Sequence, residues 1–167
     1  MDPIEVMDYD PSWPEQFAEI AARVRAAFAG GPLIDVEHVG STSVAGLAAK
    51  PIIDLNVIVP AQEDIPESIT RLATLGYVYE GDKGIPGRHA FLWPPGTARH
   101  HLYVCACGNA EHRRHLLFRD YLRANGDEAQ RYGALKRDLA GRYRSDRAAY
   151  NDGKTDFVEA VLKKARG

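Results

Sequence analysis

A chain of 167 residues, 45% hydrophobic and 26% charged with a formal net charge of −2, has the make-up of one globular domain over 1–167, long enough to bury a sizeable core. That balance excludes a wholly disordered chain, and the lack of a long basic stretch interleaved with aromatics excludes a strong nucleic-acid footprint. No apolar run is long enough to span a bilayer, and the opening MDPIEVMDYDP lacks signal-peptide character, so the expected location is the cytoplasm, away from a membrane.

In chain order, Ser12, Pro14 and Glu15 mark a helix start with Ser12 as its cap, and Phe17, Ile20, Ala21, Val24, Ala27 and Phe28 supply one apolar face. Gly30-Gly31-Pro32 ends that helix. Residues 34–39 and 51–59 read as strands joined by a short helical segment over 44–48, and 66–75 reads as a helix closed by Gly76. Three short strands follow, at 77–80, 88–93 and 99–106, separated by the turns GDKGIPG and PPGT as in an antiparallel hairpin series. From 110 onward the pattern is helical, in three pieces broken near Asn125-Gly126 and Arg144-Ser145, with Leu117, Tyr121, Leu135, Leu139, Phe157, Val161 and Leu162 as core positions. Strands in the middle and helices at both ends predict an α+β domain with helices packed on a mixed β-sheet and a helical C-terminal region. Residues 111–167 hold 14 basic and 9 acidic groups, the first 110 residues 7 and 14, an asymmetry that concentrates anions if the basic helices face an acidic strand. Cys105 and Cys107, one residue apart on a strand, form neither a disulfide pair nor a CxxC motif, so no redox chemistry is expected.

The segment EHVGSTSVAGLAAKPIIDLNVIV, 37–59, concentrates the chemistry. Gly40-Ser41-Thr42-Ser43 offers a glycine that permits close approach, hydroxyl donors and a turn, all suited to an anion, and Asp54 stands on the strand that follows. Along that strand Asp54 and Asn56 project to one face, while Ile53, Leu55, Val57 and Val59 form a wholly apolar opposite face. Two carboxylates at that spacing hold a pair of magnesium ions for an in-line displacement; here the second is an amide, which coordinates through oxygen but brings no charge.

These residues belong to a wider set of ordered blocks: EHVGSTSV, KPIIDL, HHLYVC, HRRHLLFRDYLR and AYNDGKTDFV. Together they resemble the GrpB family of the nucleotidyltransferase-like superfamily over essentially the whole chain. The resemblance implies a nucleotidyltransferase-like mixed sheet flanked by helices and a bacterial cytoplasm. A similar domain is found fused to dephospho-coenzyme A kinase in some bacteria, though no GxxxxGK[ST] loop is present here. Against the superfamily's pattern of a Gly-Ser turn and three acids, Gly40 and Ser41 match the turn and Asp54 the first acid. Asn56 departs from the second, and the later strand offers His101, Tyr103 and Cys105 with no acid.

The resemblance therefore implies Asp54 and Asn56 as catalytic residues, and Asp54, Asn56 and His101 as a metal shell for magnesium, with a transition metal as the alternative. His38 is a further group able to approach Asp54, whereas His112 and His115 read as part of a solvated helix face. Phosphate contacts are assigned to Gly40, Ser41, Thr42, Lys50, Arg88 and Lys154. Two functions are expected from different classes: transfer of a nucleotidyl group from a nucleoside triphosphate to a small acceptor, or binding of a nucleotide or phosphometabolite, linked to coenzyme A, without turnover. In the first, Asn56→Asp is expected to strengthen metal binding.

Overall fold

The structure, a computed structural model, describes residues 2–167. A five-stranded mixed sheet in the order β1-β2-β5-β4-β3 forms the centre, from β1 (Asp35–Val39), β2 (Ile53–Val59), β3 (Val78–Tyr79), β4 (Arg88–Leu92) and β5 (His100–Ala106). The expected hairpin series is present, because β3 with β4 and β4 with β5 are antiparallel. β2 lies between antiparallel β1 and parallel β5, which makes the sheet mixed. Among the described residues no helix is long and apolar enough to cross a membrane.

The apolar face of β2 does what its alternation predicts. Ile53, Leu55, Val57 and Val59 join Leu102, Val104 and Phe91 in a core closed by α1 (Trp13–Ala27) and α2 (Ile65–Ala73). Trp13, Ile20, Ala21 and Val24 are the buried residues of α1, spaced as one stripe of a 3.6-residue period. Ser12 does not cap α1 with its side chain: its backbone is already helical, its hydroxyl accepts from Gln16 Nε2 at 2.9 Å, and Asp10 accepts the Ser12 N–H at 2.8 Å.

Over the opposite face lie α3 (Ala110–Ala124), α4 (Gly126–Arg142) and α5 (Arg147–Ala165), broken where the sequence breaks. Asn109 and Asp146 cap α3 and α5 by accepting the N–H of His112 and of Ala149. A second core joins Leu122, Ala129, Tyr132 and Val161 of these helices to Val44 and Leu47. That packing accounts for one departure from expectation. Only Ser41–Ser43 forms a helical turn, of 3-10 type, and Val44 is extended so that its side chain and that of Leu47 reach the helices. Gly153 brings α5 close to α4, since a Cβ there would lie 2.4 Å from Leu139 Cδ2. The approach draws Lys136 and Lys154 to one side of the same space.

Candidate nucleotide cleft

β1 runs into the turn at Gly40, whose φ of 75° and ψ of −177° define a conformation nearly exclusive to glycine. A Cβ there would stand 2.3 Å from Asp54 Oδ2, so glycine both makes the turn and lets the backbone lie against the carboxylate. Around it the turn is braced. Ser43 Oγ donates to Gly40 O, and Thr42 Oγ1 meets His38 Nε2 at 2.9 Å. His38 stacks on Phe17 with centroids 4.6 Å apart, and burial, reinforced by Arg123, lowers its pKa to about 4, leaving it neutral. From α3, Arg119 Nη1 donates to His38 O at 3.0 Å and to Glu37 Oε2 at 2.7 Å, while Arg123 Nε donates to Ser43 O at 2.9 Å. His38 is thus a brace of the turn, its outer nitrogen engaged by Thr42 and not by Asp54.

The register of β2 with β5 sets Asp54 beside His101, and Nδ1 of the imidazole lies 2.7 Å from Asp54 Oδ1. Asn56 is differently placed. It is 0% exposed, and its Nδ2 lies 3.0 Å from Nδ1 of both His112 and His115 on α3. Those two histidines are therefore not a solvated face. Burial lowers the pKa of each, and they present ring nitrogens to Asn56 that a carboxylate would engage quite differently.

Of the expected metal shell, Asp54 and His101 face the cleft and Asn56 does not. Asn56 lines neither the main cleft nor the small pocket beside it, and its amide nitrogen is held by two histidines. Among the described residues no three His, Cys, Asp or Glu side chains gather as a metal-binding group. Asp54 with His101 is one carboxylate and one imidazole, which does not fit the paired-carboxylate geometry of two magnesium ions.

Above Asp54 opens a cleft of about 490 Å³. Gly40, Ser41, Thr42, Asp54 and His101 line it from the sheet side, and Lys136, Arg147, Tyr150 and Lys154 from α4 and α5, with Lys50 between. Six of its lining residues are Lys or Arg and two are Asp or Glu, so the charge asymmetry seen along the sequence is realised as a cationic recess over an acidic strand. Lys50 Nζ and Lys154 Nζ both approach the Tyr150 ring, at 5.2 and 4.5 Å from its centroid. Lys136 is 2% exposed, stands 4.6 Å from the Tyr132 centroid and has no hydrogen-bond partner for Nζ. Burial, then the neighbouring Lys154 and Lys50 charges, pull Lys136 down to about 7; burial and Lys50 bring Lys154 down to about 8.

The assigned phosphate contacts therefore divide. Gly40, Ser41, Thr42, Lys50 and Lys154 meet in the cleft. Arg88 does not: it lies across the Tyr103 ring at 4.3 Å, in the pocket of about 150 Å³ on the other side of Asp54. Lys136 escaped sequence reasoning, although a signal existed. It falls in the buried stripe Ala129, Tyr132, Gly133, Lys136, Leu139, Ala140, where a cation at helical spacing is out of place unless something pairs with it. Cys105 is buried and Cys107 exposed, both as free thiols, and burial pushes the Cys105 thiol up to about 12.

Comparison with known proteins matches the GrpB protein family model to residues 3–164. The chain belongs to the GrpB family. Among GrpB-type relatives, a UPF0157 protein of Pseudomonas aeruginosa is 42% identical across 98% of this chain and 68% of its own length. YqkA of Bacillus subtilis is 35% identical across 98% of the chain and 47% of its own, so the chain spans about half of that relative. A crystal structure of GrpB from Enterococcus faecalis superposes with a TM-score of 0.86 at 38% identity, covering 96% of both chains. The Cid1 poly(U) polymerase superposes at a TM-score of 0.58 and 15% identity over 82% of this chain and 44% of that one, a likeness of fold alone. The chain thus has the α+β fold of a GrpB crystal structure, a nucleotidyltransferase-like fold as the ordered blocks of the sequence imply. More distantly, the dephospho-CoA kinase of Mycobacterium bovis is 30% identical over 96% of this chain and 46% of its own length.

Proposed function

We propose that this GrpB protein binds a nucleoside triphosphate in the cleft, with the polyphosphate running between the Gly40-Ser41 turn and the lysines of the helical side. The observation that carries this reading is the convergence of Lys50, Lys136 and Lys154 with the Gly40-Ser41 turn and Asp54 on one cavity of ligand size. Phosphate oxygens would satisfy the lysines, and Ser41 would add a hydroxyl donor. The kinship with dephospho-CoA kinase supports coenzyme A, another pyrophosphate-bearing nucleotide, as a ligand to set beside the triphosphates. A cytoplasmic location follows from such ligands.

Transfer of a nucleotidyl group to a small acceptor is a second reading, supported by the 2.7 Å pair of His101 and Asp54. A carboxylate that orients an imidazole leaves the other ring nitrogen able to accept a proton from an acceptor hydroxyl held in the cleft. Calorimetric titration with each nucleoside triphosphate and with coenzyme A, for the wild type and Asp54→Ala, tests both. Nucleotide binding retained or strengthened in Asp54→Ala is expected, since without a bridging metal the carboxylate repels the polyphosphate. Joining of a nucleotidyl group to a small acceptor and release of pyrophosphate, both lost in His101→Gln, would establish transfer, and binding of none of these ligands would refute the nucleotide reading.

A further inference from the structure

We propose that Lys50, Lys136 and Lys154 form a seat for a terminal phosphate, taking the dianion directly by three ammonium groups without an intervening metal ion. The inference rests on the nucleotide reading of the cleft and names which end of the ligand lies where. Its basis is an imbalance inside the protein. Three cations from separate stretches, one before β2, one on α4 and one on α5, line the same recess, and among the described residues none makes an ion pair. Lys136 is the extreme case, a buried ammonium with no partner for Nζ. Such a group is costly to bury unless an anion meets it. The charged and titratable groups facing it are Lys154 and Tyr150 from α5, Lys50 and Asp54 from the sheet side, and Tyr132 on its own helix. Asp54, the single acid in that set, is engaged by His101. The faces of Tyr132 and Tyr150 steady the ammoniums without supplying a full charge.

A terminal phosphate suits this place better than a bridging one. It carries close to two negative charges near neutral pH and three free oxygens, one for each ammonium, whereas a bridging phosphate carries one charge and two free oxygens. Binding of the dianion would also return protons to amines that burial and mutual repulsion hold low, so proton uptake accompanies occupation of the seat.

The test uses inorganic tripolyphosphate, titrated calorimetrically with a chelator present at about pH 8 in two buffers of different ionisation heat. Wild type should bind and should take up protons. Lys136→Met, which replaces a buried cation by an apolar side chain of similar length, should weaken binding at least about tenfold and remove most of the uptake, and Lys154→Met should weaken it likewise. Thermal unfolding of each variant establishes that it is folded. Tripolyphosphate binding unaffected by either substitution would overturn the seat, as would a strict requirement for a divalent ion. A parallel titration with ATP and magnesium separates the two levels of the argument. ATP binding with full affinity in Lys136→Met overturns the seat and leaves the nucleotide reading standing, whereas no binding of ATP or tripolyphosphate by wild type overturns both.

Discussion

The two ends of the cleft are built on opposite principles. At the sheet end the polar side chains pair with one another, Asp54 with His101, Asn56 Nδ2 with His112 and His115, His115 with Glu111, and Thr42 with His38, with Asn56 Oδ1 left without a partner. At the helical end Lys50, Lys136 and Lys154 share a recess with aromatic rings and each other, and burial lowers the pKa of all three. The sheet end is a preorganised surface that holds its own shape. The helical end is under electrostatic stress that an anion relieves. Folding stability and ligand affinity are therefore set against each other at the lysines and work together at the turn.

The sharpest way to break the sheet end is Gly40→Ala. A Cβ at this position demands a forbidden backbone and overlaps Asp54 Oδ2, so denaturant unfolding should report a loss of about 2–4 kcal/mol. The lysine end should respond in the other direction, since Lys136→Met removes a buried charge and is expected to stabilise the ligand-free protein by about 1–3 kcal/mol at neutral pH. The pH dependence follows from the same shift. With the folded pKa at about 7, below the ordinary lysine value of 10.5, the unfolded chain binds more protons between these limits, and wild-type stability rises with pH across that window. Below about pH 7 both states are protonated and the penalty stays constant. Melting temperatures measured across this range should climb in wild type and climb less in Lys136→Met; equal slopes would show that Lys136 is not the source.

The smallest effect is expected from Asn56→Asp, and it sharpens the contrast between a partnered site and a metal site. A carboxylate introduced beside His112 and His115 would draw a proton onto their rings and pair with it, within about 1 kcal/mol of wild-type stability, and magnesium should not change its melting temperature. This reverses the expectation from the strand alone, where an acid two residues from Asp54 reads as the missing half of a metal pair. A magnesium-dependent rise in the melting temperature of Asn56→Asp would reinstate the metal pair.

Much of the architecture was legible before any coordinates. The alternation 53–59 places Asp54 and Asn56 on one face, glycine and serine at 40 and 41 mark the turn, and Asn125-Gly126 marks the break between α3 and α4. These are local properties: strand alternation, turn chemistry and helix capping act between residues a few positions apart. Where the reading of 44–48 as a helix went astray, the cause was remote, because Val44 and Leu47 are claimed by a core that α3, α4 and α5 supply. Arg88 stayed out of the main cleft for a similar reason, its guanidinium drawn onto the Tyr103 ring.

The sequence by itself determined the GrpB kinship, the α+β class, the Gly40-Ser41 turn and the face on which Asp54 is presented, because each depends on residue order and on short-range geometry. Only the tertiary structure decided that Asn56 belongs to His112 and His115, that His101, already expected beside Asp54, meets its carboxylate directly, and that Lys136 joins Lys50 and Lys154. The hydrogen-bonded partnerships join groups 47, 56 and 59 positions apart, set by the pairing of β2 with β5 for His101 and by the packing of α3 on the sheet for Asn56, and the packing of α4 and α5 gathers the lysines, so tertiary contact and not spacing along the chain sets distance and charge.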